Sequence, residues 1–319
     1  MSPSQIGNSQ LLASLLGLCA LLASACGSSF DPGSRVDSLR VLAVEADKPY
    51  ARPGETVHLQ ALSHDPEQRP LTWAWATCNN PVSASVESCF AAMANEDDSS
   101  TDLKLTTLEP DVVAETDVTI GMDVLDALPE ETRDRAEVGI VSVACPGQIV
   151  LERSATTTMP FECHDPETKR ELDLSEFLVG IKHVFVRARD RNANPVLGNV
   201  SFDGKTWPAD EVKTVHACDT TGNTFSECSS ALSHAISVQL SKKSFERGTT
   251  EFGRPFEEQL IVQYYATEGI FENEVKVGEE PTTRFVARRG AKGKEILLWI
   301  VARDDRGGVS WVERRIDVK

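Results

Sequence analysis

The chain has 319 residues, 40% of them hydrophobic and 25% charged, with a net charge of −17. That length accommodates two domains with ordinary cores. The acidic balance argues against a nucleic-acid binder, which needs a basic face to neutralise phosphates. The charge is also uneven, with 14 acidic and 3 basic side chains in residues 91–140 against 5 acidic and 10 basic in residues 281–319. An acidic sector of that kind reads as solvated surface.

The first element in chain order is the apolar run "LLASLLGLCALL", residues 11–22. It is too short to span a bilayer as a helix, which takes about 20 residues. It suits the apolar region of a signal peptide. Ala23, Ser24 and Ala25 follow, side chains small enough for a signal peptidase pocket, and then comes Cys26. After it "GSSFDPGSR" is rich in Gly, Ser and Pro and reads as a flexible tether.

The stretch "ASAC", residues 23–26, resembles the lipobox of bacterial lipoproteins. The resemblance implies that the Cys26 thiol takes a diacylglycerol, that the bond before it is cut, and that the new N-terminus is acylated. Residues 1–25 would then be the signal peptide, and residues 26–35 the lipidated cysteine and tether. Each acyl methylene would contribute about 0.8 kcal/mol to membrane binding, so three chains anchor firmly. Gly27 rather than Asp after the cysteine implies the outer membrane, periplasmic or surface face. The alternative is a plain secretory signal cut near Ala25, leaving Cys26 a free thiol; an unpaired exposed thiol outside the cell would be a liability.

Six further cysteines remain: Cys78, Cys89, Cys145, Cys163, Cys218 and Cys228. An even number in an exported chain suggests disulfides. Cys78 ends one apparent strand, "LTWAWATC", and Cys145 ends another, "EVGIVSVAC". If these are antiparallel neighbours, their ends lie roughly 20 Å apart at about 3.3 Å per residue. A disulfide tolerates only about 4.4–6.8 Å between Cα atoms. Nearest-neighbour pairs follow: Cys78–Cys89, Cys145–Cys163 and Cys218–Cys228. The rival is zinc on "ECHD", "HAC" and His234, but none shows the paired spacing of such sites.

The folded part reads as strands and turns almost throughout. "RVLAV", "ETVHLQAL" and "LTWAWAT" alternate apolar and polar residues between Pro and Gly breaks. Helical signal is confined to a turn or two around Pro129 in "LDALPEETRDRAEV" and to "LDLSEFL". A turn at "RNANP" separates the halves. The second half gives "HAISVQLS", "EQLIVQYYATEG", "TTRFVARRG", "EILLWIVARD" and "GVSWVERRIDV". In "ILLWIVA" both faces are apolar, which marks a central strand covered on both sides. The tight "DDRGG" connection then makes a terminal hairpin.

"ALSHDPEQRPLTWAW", residues 61–75, resembles the strand–turn–strand segment of PKD-type and related bacterial immunoglobulin-like domains. "LLWIVARDDRGGVSW" is similar to that family's closing hairpin, and "VQYYATEGIFENE" to its middle strand. The resemblance implies an all-β protein of two immunoglobulin-like or PKD-like β-sandwiches, at 36–190 and 191–319. The first carries long insertions around 79–115 and 146–176.

Candidate sites are few. Trp73 and Trp75 share one strand face and belong to the core, as the resembling family's tryptophan does, rather than to a sugar-stacking platform. Trp299 is likewise core, while Trp207 and Trp311 are expected to be exposed. Asp190, Asn192 and Asn194 could give oxygen ligands to an interdomain calcium ion, as could Asp97, Asp98 and Asp102, but such residues are ordinary turn formers. No G-x-S-x-G, H-E-x-x-H or S-x-x-K motif occurs, and no catalytic residue is assigned. The expectation is a non-enzymatic, membrane-anchored envelope lipoprotein that binds a protein partner or spaces an assembly. The expected non-protein groups are the acyl lipid on Cys26 and, as the minor case, a calcium ion. The alternatives are a glycan-binding adhesin module and, last, a hydrolase or an accessory domain of one.

Overall fold

The computed structural model describes residues 33–319 apart from 82–84, 96–103, 111, 152–158, 220, 221 and 223. The leader, Cys26 and the acidic cluster Asp97, Asp98 and Asp102 lie outside the described residues. Two β-sandwiches follow one another along the chain, with last and first strands ending at Val186 and starting at Leu197.

In the first sandwich, in chain order, the strands are β1 (Arg40–Ala46), β2 (Tyr50–Ala51), β3 (Thr56–His64) and β4 (Leu71–Asn79). A helix, α1 (Val86–Asn95), precedes β5 (Lys104–Leu108), β6 (Ala114–Thr119) and β7 (Glu137–Cys145). The set closes with β8 (Gln148–Leu151), β9 (Phe161–His164) and β10 (Leu178–Val186). One sheet runs β1-β3-β6, and the facing sheet runs β2-β10-β7-β4-β5. Strand alternation sets the core: Val57, Leu59 and Ala61 of β3 face Trp73 and Trp75 of β4 across the gap. The two indoles stack with centroids 5.5 Å apart.

The outer face of the β4-β7-β10 sheet is also covered. Phe90 of α1, Ile149 of β8 and Phe161 of β9 pack there against Ala74, Ala76, Val141 and Val143. Residues 137–145 are therefore buried on both faces, which is why they read as a nearly unbroken apolar run. Two disulfides pin this outer layer, Cys78–Cys89 to α1 and Cys145–Cys163 to the β8–β9 hairpin. Cys145 lies opposite Thr72 and Cys78 opposite Gly139, so the two cysteines stand at opposite poles of one antiparallel pair. The sequence expects no helix at 86–95, since its short apolar stretch lies inside an apparent insertion. "LDLSEFL" forms a turn instead of a helix, with Arg170 gripping Glu176 at 2.7 Å. Around Pro129 there is one 3-10 turn, Glu130–Arg135.

The second sandwich repeats the topology. It begins with β11 (Leu197–Phe202), β12 (Lys205–Thr206), β13 (Val212–Val215) and β14 (His234–Leu240). Then come the hairpin β15 (Arg247–Thr249) and β16 (Pro255–Glu257), and β17 (Leu260–Ala266), β18 (Ile270–Phe271) and β19 (Val275–Val277). Last are β20 (Thr282–Val286), β21 (Glu295–Asp304) and β22 (Val309–Val318). The sheets are β12-β11-β14-β20-β18 and β13-β22-β21-β17-β19. In each domain a short early strand crosses over to pair parallel with the last one, β2 with β10 and β13 with β22. That crossover and the sheet orders are those of an immunoglobulin-like sandwich, and the fold is all-β. Cys218–Cys228 closes a loop beside β13.

Trp207 corrects the expectation of exposure. It is 1% exposed, packs edge-on against Phe202 and donates its indole N–H to the Glu211 carbonyl. A turn residue was enough to suggest solvent, but the turn folds back over the sandwich end. Trp311 is half-buried. The tether also needs correcting at its end. Ser34 and Val36 are buried, the Ser34 carbonyl accepts from Ala266 N–H, and Val36 N–H donates to the Ala266 carbonyl. Residues 34–36 are thus docked on the second domain.

Replacing Cys145 and Cys163 together by serine should lower the stability of the first domain by about 3 kcal/mol, the loop-entropy value for a closed loop of this size. An earlier urea midpoint under non-reducing conditions would report it.

Candidate functional site at the domain junction

The outer face of the second domain's β21-β22 sheet packs on the first domain. Trp299, Val301 and Val309 meet Leu42 and Ala43 of β1 and Leu62 of β3. This contact is what makes "ILLWIVA" apolar on both faces. One side is the sandwich core and the other is the neighbouring domain.

A buried cation stands beside that seam. Arg306, in the turn between β21 and β22, lies between the Tyr50 ring at 4.7 Å and the Phe256 ring at 4.0 Å. Its Nη1 donates to Glu258 at 2.8 Å and to Glu246 at 3.3 Å, and Nη2 donates to the Arg191 carbonyl. The Glu258 side chain is 2% exposed and that of Arg306 8%. Burial pushes the Glu258 carboxyl upward, with Arg306 opposing it. Planar guanidinium suits this slot because it stacks on two rings while donating in its plane. The turn depends on its glycines: Gly307 has φ +93°, and a Cβ at Gly308 would collide with the Asp304 carboxylate. That carboxylate accepts from the backbone N–H of both Arg306 and Gly308.

The linker residues proposed for calcium are used otherwise. Asp190 accepts from Glu251 N–H, and the Glu251 carboxylate accepts in turn from the N–H groups of Ala188, Arg189 and Asp190. Asn192 donates its amide to Asp304 and to the Arg306 carbonyl. Asn194 donates to Glu45 and to the Ala46 carbonyl, and accepts from Val309 N–H. The three residues knit the domains together but do not converge as an oxygen cage. Among the described residues no group of three or more His, Cys, Asp or Glu is placed to hold a metal ion. His164 pairs with Glu162 rather than with a cysteine, and Cys218 is in its disulfide. Sequence reasoning missed Arg306, Tyr50 and Phe256; only the "DDRGG" turn hinted at them.

Between β1, the first half of β10 and the 303–309 turn opens a cleft of about 730 Å³. Leu42, Ala43, Val44, Leu178, Gly180 and Lys182 contribute to its walls. Lys182 projects from β10 toward the gap between the sheets, is 9% exposed and donates to the Gly307 carbonyl of the second domain. Burial lowers its pKa to about 8, with Asp304 and Glu45 pulling the other way and Arg303 reinforcing the shift. Arg303, also on the cleft, donates to Gln263 and to the Leu42 carbonyl. Trp73, Trp75, Trp207 and Trp299 are all buried, so none offers a face to a sugar ring. Among the described residues no helix is long and apolar enough to cross a membrane.

No known family matches this chain, and no curated protein does. Among solved structures, the chain is similar to dimeric latent PorU from Porphyromonas gingivalis, at 11% identity and a TM-score of 0.23. That match covers 88% of this chain and 24% of PorU. It is also similar to a chimeric titin Z1Z2–Z1Z2 tandem functionalised with a GRGDS peptide from fibronectin, at 8% identity and a TM-score of 0.24. There the match covers 88% of this chain and 99% of the tandem.

Two outcomes follow from the junction. Arg306→Met strands a buried Glu258 and should cost about 3–5 kcal/mol, while Arg306→Met combined with Glu258→Leu should recover most of it. Calorimetry should show one unfolding transition in the wild type and two in the single variant. Lys182 is charged in both folded and unfolded chains below pH 8, and there the desolvation penalty is fully present. Above the unfolded value of 10.5 it is neutral in both, so stability rises between pH 8 and 10.5. Relative to Lys182→Met, denaturant titrations of the wild type should gain up to about 3 kcal/mol across that window.

Proposed function

We propose that this chain is an exported lipoprotein, held to the outer membrane through acylated Cys26. Its fused sandwiches act without catalysis, as a protein-binding or spacing part of an envelope assembly. The three disulfides favour an oxidising compartment. The acidic surface keeps such a domain soluble beside the membrane.

The observation that carries this reading is how little chain separates the lipid site from the folded body. Residues 27–33 alone lie between Cys26 and buried Ser34. Fully extended, a stretch of that length reaches about 25 Å. Tension on the lipid end is therefore delivered to Ala266 of β17, at the edge of the domain junction. Two sandwiches locked side to side transmit it as one piece. A protein whose domains were beads on a flexible string would make a poor spacer.

The test is mass spectrometry of the N-terminus from native membranes, with fractionation of a Cys26→Ala variant. The mature chain should begin at an acylated Cys26, and the variant should leave the membrane fraction. An intact leader, or a processed end carrying an unmodified thiol, would remove the reading.

A further inference from the structure

The chain carries a net charge of −17, yet one exposed turn of the second domain has the opposite sign. Residues 288–294, "RRGAKGK", hold four cations and no carboxylate. The turn is a fixed platform. Ala291 is buried in the core, Gly293 N–H donates to the Val318 carbonyl, and Val318 N–H donates to that of Lys294. Arg288 is spent on Glu268, at 2.9 Å. Arg289, Lys292 and Lys294 are exposed and have no ion pair among the described residues. Exposed Lys319 joins them, since its N–H donates to the Val215 carbonyl beside the same turn.

Carboxylates around the turn do not cancel this charge. Glu268, Glu295 and Glu227 are engaged by Arg288, Arg315 and Thr224. Asp219, next to the Cys218 bridge to Arg288, and Asp317, opposite Glu295, stand against the four unpaired cations. The acidic residues Glu274, Glu279 and Glu280 flank β19, two strands away from β21 across the sheet. The positive charge therefore marks one corner of this end of the sandwich.

That corner is also where the tether meets the body. Glu268, which holds Arg288, lies two residues beyond Ala266, and Ala266 bonds both Ser34 and Val36. Thr267 N–H donates to the Leu297 carbonyl, three residues past Lys294. Residues 27–33 hold Cys26 within about 25 Å of Ser34. We propose that the turn 288–294 rests on anionic lipid headgroups beside the anchor, and so sets which corner of the body faces the membrane. The proposal rests on the anchoring reading and deepens it. A cation at an anionic bilayer gains about fivefold in partition, within a screening length of about 8 Å. The short tether supplies an effective concentration on the order of millimolar. A patch too weak to hold lipid by itself is therefore enough to orient a tethered body.

The test uses the mature chain held on vesicles through Cys26, by its own acyl chains or by a maleimide lipid. A water-soluble amine reagent then reads each lysine. On vesicles rich in phosphatidylglycerol, labelling of Lys292 and Lys294 should be about threefold or more slower than on phosphatidylcholine. High salt should abolish the difference. Lys242 and Lys243, exposed beyond the opposite end of β14, should label equally on both. The Lys319 amine should be protected in the wild type. It should lose that protection when Arg289→Ser, Lys292→Ser and Lys294→Ser are combined, with the unfolding midpoint unchanged. Equal labelling of Lys292 and Lys294 on the two lipids, or equal protection of Lys242 and Lys243, overturns the proposal. So does the same protection by inorganic phosphate without vesicles, since the turn is then a site for free anions. Failure on the natively acylated chain leaves the anchoring intact. An unacylated Cys26 removes the anchoring, and the maleimide-coupled chain still decides the orientation.

Discussion

One guanidinium holds the two halves of this protein in register. Arg306 reaches from the last hairpin of the second domain to a tyrosine of the first, and a phenylalanine from the β15–β16 hairpin closes over it. Its charge is matched by Glu258 inside the same slot. A buried ion pair adds little net stability compared with apolar residues of the same shape, but a half-empty one is severely unfavourable. The pair therefore pins Arg306 in place within the second domain, and its stacking on the Tyr50 ring carries that pin to the first. The Trp299 cluster supplies the apolar area on which that pin can act.

The rest of the architecture is arranged around this placement. The linker amides of residues 188–190 wrap the Glu251 carboxylate, and Arg254 of the same hairpin reaches Asp134 at 2.6 Å. Docking of residues 34–36 on Ala266 brings the chain's entry point to the same region. The first domain gives up part of its sandwich side to receive the 303–309 turn, and the cleft beside β10 is what remains open. The same turn lays Arg306 on the Tyr50 ring and offers its Gly307 carbonyl to buried Lys182.

Much of the fold was legible in the residues. Alternation at Val57, Leu59 and Ala61 marks a half-buried strand wherever it occurs, because the pleat has a period of two. Trp73 and Trp75 read as core for the same reason. The cysteines were readable because each partner lies 10 to 18 residues away, inside one loop. Helix α1 was not readable. Its stability comes from Cys89 and Phe90 packing on a sheet face that local sequence does not show. Trp207 misled for a related cause. A residue beside a turn carries no sign of whether the turn leans outward or back over the core.

The sequence by itself determined the all-β character, the terminal hairpin with its glycines, and the local disulfide pairs, since each depends on neighbours within a strand or loop. It could not assign the calcium candidates Asp190, Asn192 and Asn194 to a role, because their partners Glu251, Asp304 and Glu45 come from distant parts of the chain. Only the tertiary structure decided which sheet face meets the other domain, where the cation sits and which edge stays open. Those features are set by contacts such as Tyr50 with Arg306 and Leu42 with Trp299, separated by most of the chain's length. No periodicity or spacing along a chain encodes a meeting between residues so far apart.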